Sequence, residues 1–297
     1  MKIFVTGATG FIGAAFCQRA QQRGHQIAAL FNPAQARPLL GANTWWPGRL
    51  DALPLRELAE FQPEVCVHSA WISTPGEYLE SPLNEQHLRW SEGLVRQLPA
   101  LGVQYFVGVG TCLEYQPGDA RLQEEGALTS NATAYARCKN AFRESLFTEA
   151  RRAGFSACWG RVFYPYGVGE HPARLCTSLI QKFRRGEKLT LKTPNSTKDY
   201  IYIDDLAEAM LTTVEKKFQG TINWGTGEGI SVRRIADAVA GILGSPELVD
   251  EVSPPQVDPL GYVVADATKL RALGWRPEVS LEAGLRRLHA AIQRSND

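Results

Sequence analysis

"GATGFIG", residues 7–13, follows directly on "MKIFVT", residues 1–6. The apolar run before it reads as a buried strand and Phe11 to Arg23 reads as a helix, so Gly7, Gly10 and Gly13 occupy a strand-to-helix turn. A helix N-terminus presents unpaired backbone N–H groups and attracts anions. Glycine is needed in such a turn wherever a Cβ would block a pyrophosphate, or the helix, from approaching the strand. The spacing is GxxGxxG rather than GxGxxG, and a glycine triplet alone is weak evidence. Its place directly after the first strand makes it a dinucleotide cradle rather than a bare tight turn.

The alternation continues outward. "QIAALF", "VCVHSA", "YFVGVG" and "SACWGRVF" are short apolar runs separated by longer helical patterns, the last of them around Tyr135 to Ala153. Such alternation predicts an α/β fold with a doubly wound parallel sheet covered on both faces. From about Tyr166 the pattern loosens into Pro- and Gly-rich loops around short helices, with "GTINWGTGEG" and "SPELVDEVSPPQVDP" read as turns. We therefore expect a dinucleotide-binding unit over 1–165, to which 198–225 returns, and a smaller substrate-binding unit from 166–197 and 226–297.

The 297 residues are 44% hydrophobic, enough for a sizeable core, and the formal net charge is +1. No basic face for nucleic acid and no polybasic membrane segment stands out, so a small-molecule partner is expected. Cys17, Cys66, Cys112, Cys138, Cys158 and Cys176 include no CxxC pair, which fits reduced, buried thiols in the cytosol and no metal site. The N-terminus lacks a signal-peptide pattern and no run reaches the ~18 apolar residues of a membrane span, so a cytoplasmic protein is expected. The sequon at Asn131 is then read as chance.

"YARCK" places Tyr135 and Lys139 four residues apart, on one face of a helix. A phenol titrates near pH ~10, and a neighbouring ammonium stabilises its phenolate, so the pair can exchange a proton with a carbonyl or alcohol. Upstream, "FVGVGTCLEY" is a buried-strand pattern ending at Gly110, where side chains emerge at the carboxyl edge of a parallel sheet. After the second strand an acid would bind the adenosine ribose; here Asn32 stands with Arg37 nearby, which favours NADP(H) over NAD(H). Arg49 is either a second phosphate partner or a solvated loop arginine. His68 has no metal partner at useful spacing and reads as structural; Trp71 and Tyr78 either cover the substrate or pack.

With "TGATGFIG", "YARCK", "GRVFYPYGVGE", "KDYIYIDDLAEAM" and "GYVVADATKLRALGWRP", nearly the whole chain resembles the extended short-chain dehydrogenases/reductases, a branch of nucleotide-sugar epimerases, dehydratases and ketoreductases. The resemblance implies a Rossmann-type sheet and a triad in which Thr111 hydrogen-bonds the substrate oxygen, Tyr135 transfers the proton, and Lys139 holds the nicotinamide ribose. It implies cofactor contacts from Gly7, Gly10, Phe11, Ile12 and Gly13, from Asn32, Arg37 and Leu50, and from Ser69, Ala70 and Phe163. Cys112, Tyr164 and Lys198 join Thr111 as implied contacts to a nucleotide-diphosphate sugar. Homodimers through the Tyr135-bearing helix are a further implication.

Departures from the family's pattern narrow the chemistry. Cys112-Leu113 stand where related dehydratases carry Asp-Glu, so dehydration is not expected. Glu114 replaces a Val; it either faces the substrate or, the reading preferred here, is a surface carboxylate. Tyr164 stands where Asn is common, and Lys198 replaces a phosphate-binding Arg. The expected function is an NADPH-dependent 4-ketoreductase of a nucleotide-linked 4-keto-6-deoxy sugar. The alternatives are a 4-epimerase with tightly held NAD and a non-catalytic NAD(P)-binding sensor.

Overall fold

A computed structural model describes residues 1–33, 42–129 and 132–294. Strands β1 (Lys2–Thr6), β2 (Gln26–Phe31), β3 (Thr44–Pro47), β4 (Val65–His68), β5 (Tyr105–Thr111) and β6 (Ser156–Val162) alternate with helices α1 (Phe11–Gln22), α2 (Leu55–Phe61), α3 (Leu83–Gln97) and α4 (Ala134–Ala153). There follow β7 (Tyr164–Tyr166), α5 (Leu175–Arg184), β8 (Leu189–Leu191), β9 (Thr197–Lys198), β10 (Tyr200–Tyr202), α6 (Ile203–Glu215) and β11 (Gly220–Trp224). The chain closes with β12 (Ile230–Ser231), α7 (Val232–Leu243), β13 (Val249–Glu251), β14 (Tyr262–Val263), α8 (Thr268–Ala272) and α9 (Leu281–Arg294).

The central sheet has seven parallel strands in the order β11-β6-β5-β4-β1-β2-β3. Its side chains alternate strictly between two cores. Ile3, Val5, Val65, Val67, Val107 and Val109 enter the core shared with Phe16 of α1 and Met210 of α6. Phe4, Cys66 and Phe106 enter the opposite core, with Leu94 of α3 and Phe142 of α4. Both faces are therefore dry, as the doubly wound reading requires.

Two elements differ from the sequence reading. "TWWP" is not among the apolar runs picked out from the sequence, yet Thr44–Pro47 is β3, an edge strand whose Trp46 packs edge-on against Phe61 at 5.5 Å. "GTINWGTGEG" is a turn only in its second half; Gly220–Trp224 is the outermost strand of the main sheet, paired with β6. In both cases flanking Gly and Pro outweighed a strand of four or five residues. The later helices are not all short: α8 has 5 residues, but α6, α7 and α9 have 13, 12 and 14 against 12 in α1. Among the described residues no helix is long and apolar enough to cross a membrane.

Candidate active site

The strand order reverses between β1 and β4, and the crevice outside the carboxyl ends at such a switch point is where ligands bind in this architecture. A cleft of about 880 Å³ lies there. The turn after β1 supplies Gly7, Gly10, Phe11, Ile12 and Gly13 to its wall. Helix α1 starts at Phe11 after Gly10, with no side-chain cap and no acid in its first turn; the Gly10 N–H donates to the Gly7 carbonyl at 3.0 Å, and the N–H groups of Phe11 and Ile12 are left for a ligand. Gly7 has φ +71°, and a Cβ there would lie 2.6 Å from the Ala70 nitrogen. This uncapped turn, cleared of side chains, fits the pyrophosphate of a dinucleotide. Asn32, Leu50, Ser69, Ala70 and Phe163 line the same cleft, placed to flank it. Arg37 lies outside the described residues. Arg49 reaches the cleft but is paired with Asp51 at 2.9 Å.

The strand end of β5 delivers Thr111 and the first turns of α4 deliver Tyr135 and Lys139; all three line the cleft. Thr111 caps the short turn 112–114: its Oγ1 accepts the Leu113 N–H at 3.3 Å, which leaves its own proton to donate. Helix α4 starts at the Thr133 cap, whose Oγ1 accepts the Ala136 N–H at 3.3 Å, and it ends at Gly154 with φ 75°. The Tyr135 ring is held edge-on by Tyr78, centroids 4.9 Å apart. Burial pushes its phenol above the ordinary tyrosine value, with Arg174 pulling the other way.

Lys139 reaches the cleft beside Tyr135, one turn along α4. Its Nζ donates to the Val109 carbonyl at 2.8 Å and sits 4.0 Å from the Trp71 ring centroid, against 5.8 Å from that of Tyr135. The amine is thus turned onto a strand carbonyl and an indole face. Burial lowers it to about 7, opposed by the charge of Glu114. The unfolded chain then binds the extra proton between about 7 and the ordinary lysine value of 10.5, so stability rises with pH across that window. This contribution is complete above 10.5 and is lost as pH falls through about 7. Lys139→Met should be stabilising below the window, its advantage shrinking by on the order of 1.4 kcal/mol per pH unit as pH rises through it. Parallel urea titrations at about pH 6 and about pH 10 check this, on either side of the window's lower part; an advantage that does not change with pH refutes a strongly depressed Lys139.

The substrate side departs from expectation. Cys112 and Tyr164 line the cleft, but Lys198 does not: it is buried and its Nζ pairs with Asp258 at 3.0 Å. Its charge is already met by a partner 60 residues away. Glu114 is not on the surface; it is fully buried against Arg161, with Nε 2.7 Å from Oε2. His68 is structural as expected, sharing hydrogen bonds with Thr6 at 2.7 Å and Ser91 at 2.8 Å. Asp199 holds loops, accepting from the N–H groups of Thr226, Gly227 and Ala265.

Sequence reasoning passed over two groups on the cleft wall. Leu83, Gln86, His87 and Trp90 come from one face of α3, a spacing of three and four that was there to be read. His87 stacks on Trp71 at 5.5 Å and is lowered to about 4 by burial and the nearby Lys139. His171 and Arg174 come from the loop entering α5, just past the quoted "GVGE".

A family model described as "NAD dependent epimerase/dehydratase family" matches residues 3–225. The chain belongs to that family. Among curated relatives of this family member, a UDP-glucose 4-epimerase of Corynebacterium glutamicum is 27% identical over 94% of this chain and 91% of its own. A CDP-abequose synthase of Salmonella muenchen is 22% identical over 97% of this chain and 96% of its own. Among solved structures, a Thermus thermophilus UDP-glucose 4-epimerase in complex with NAD superposes with a TM-score of 0.84, at 26% identity, covering 99% of both chains.

Proposed function

We propose that the chain is a nucleotide-sugar 4-epimerase that works on tightly held NAD. The observation that carries this reading is the meeting of Thr111, Tyr135 and Lys139 in the cleft onto which the uncapped N-terminus of α1 opens. The relatives support it better than the 4-ketoreductase expected from sequence. Phe11 and Ile12 would hold the pyrophosphate through backbone N–H groups, Asn32 and Leu50 would flank the adenosine, and Phe163 would pack by the nicotinamide. Bound NAD supplies reversible hydride acceptance. Thr111 donates a hydrogen bond to the sugar's C4 oxygen, Tyr135 takes the proton of that hydroxyl and later returns it, and Lys139 would orient the ribose while its charge favours the phenolate. Cys112 and Leu113 offer no acid–base pair, so the sugar keeps its oxygen.

The test is to incubate purified protein with UDP-glucose, and separately with other nucleotide-linked hexoses, without added coenzyme. Interconversion of 4-epimers, with NAD released on acid denaturation, is the expected result. NADPH consumption matched to reduction of a 4-keto sugar, without epimerisation, overturns it in favour of the reductase. One observation favours that second reading: Asn32 puts no carboxylate at the end of β2, so a ribose 2′-phosphate meets no like charge there.

Because Lys198 is spent on Asp258, we assign the substrate's phosphoryl charge to Arg174. Arg174→Gln is expected to raise KM about tenfold or more, the worth of one charge-assisted hydrogen bond. Lys198→Gln should leave KM near the parent value; the reverse order in steady-state kinetics refutes the assignment.

A further inference from the structure

Behind the Thr111 end of β5 lies a buried charge cluster that the proton-transfer groups do not include. Glu114 and Arg161 are 0% and 1% exposed. One Glu114 oxygen accepts the Thr111 backbone N–H at 2.9 Å, and the other takes Arg161 Nε at 2.7 Å. Trp159 Nε1 donates to the same carboxylate at 3.1 Å. Arg161 is itself held by the Glu124 carbonyl at 3.0 Å and lies 4.2 Å from the Tyr115 ring centroid. The space is cleared for it: a Cβ on Gly110 would fall 2.6 Å from Glu114 Oε1 and 2.3 Å from Trp159 Nε1.

A buried ion pair is poor evidence of a stability role, since a well-packed apolar pair of similar volume often serves a fold equally well or better. What this pair has that an apolar pair lacks is direction. It ends on the backbone N–H of Thr111, a residue of the cleft wall. Thr111 is thereby gripped twice, at its N–H by Glu114 and at its Oγ1 by the Leu113 N–H, the reciprocal cap of the 112–114 turn.

We propose that Glu114 is a positioning residue of the reaction: clamped by Arg161 and Trp159, its carboxylate fixes the Thr111 backbone and so aims the Thr111 hydroxyl at the substrate oxygen. This rests on the role given to Thr111 above. A hydroxyl displaced by an ångström or less loses much of its effect, because transition-state hydrogen bonds are steep in geometry.

Two double variants test it, each removing both charges so that neither leaves a lone buried ion. Glu114→Gln/Arg161→Met keeps an oxygen to accept the Thr111 N–H; Glu114→Val/Arg161→Met does not. The Gln pair should hold kcat within about threefold of the parent, whereas the Val pair should lose about tenfold or more in kcat with KM and NAD affinity unchanged. Amide hydrogen exchange at Thr111 should quicken only in the Val pair. Equal kcat in the two pairs, whether retained or lost, overturns the proposal, as does a Thr111 amide equally protected in both. A parent chain that turns over no nucleotide sugar overturns the functional reading instead, and the exchange experiment still reads the Glu114 contact in its absence.

Discussion

Tyr135→Phe is expected to bind NAD with the affinity of the parent chain and to lose about 10³-fold in kcat, within the range that a positioned proton donor–acceptor supplies. Only one oxygen is removed, and the packing of the ring does not depend on it. Tyr78 meets the ring edge-on at 4.9 Å, and the Tyr135 N–H donates to the Leu79 carbonyl at 2.9 Å. The phenol faces the cleft, where burial keeps it protonated, so its use as a base requires a cation brought against it when ligands fill the site. Among the described residues of the cleft wall, Arg174 already pulls the phenol down, and Lys139 shares its helix. Calorimetry with NAD and steady-state kinetics on the same preparation separate the two effects. A Tyr135→Phe variant keeping more than about a tenth of the parent's turnover would take proton transfer away from Tyr135, since a general acid–base group is worth far more than that. Loss of NAD binding would show instead that the phenol oxygen matters to the cleft's shape.

Much of this site is legible in the sequence because its parts are local. A strand, a glycine turn and a helix, complete by Gln22, state a phosphate cradle by themselves. Tyr135 and Lys139 share a helix face at a spacing any helix enforces. What is not legible depends on partners distant in sequence. Lys198 reads as a cation for a diphosphate until Asp258, 60 residues on, is found beside it. Glu114 reads as a surface acid because an isolated charge usually is one, and nothing near it announces Arg161, 47 residues away and itself hidden in a central strand. The orientation of Lys139 is a matter of which carbonyl and which ring lie within reach, and that is settled by the packing of α4 on β5. The choice between NAD and NADP turns on the segment after β2. Asn32 is legible there and lines the cleft, and Arg37 falls outside the described residues.

Gly13→Ala is expected to lower NAD affinity by about 100-fold or more, the worth of two charge-assisted hydrogen bonds, and to lower the melting temperature of the cofactor-free chain. Residue 13 sits in the first turn of α1, and an added Cβ would lie 2.2 Å from the Gly7 carbonyl oxygen, 2.8 Å from its carbon and 2.8 Å from Ser69 Oγ. Two of these are backbone atoms, and they cannot swing aside as a side-chain end does. The helix must instead lift from the turn, carrying with it the N–H groups of Phe11 and Ile12 that the pyrophosphate would use. A hydrogen bond to an anion weakens steeply beyond about 3.2 Å, so several contacts are lost together rather than one. Gly93→Ala supplies the matched control, because the nearest atom to a Cβ there is Gln97 Nε2 at 3.9 Å. The same substitution in the middle of α3 should raise helix stability by up to about 1 kcal/mol and leave NAD binding alone. If Gly13→Ala binds NAD as tightly as Gly93→Ala does, the close approach of α1 to the β1 turn is not what shapes the cradle, and the dinucleotide reading loses its physical basis.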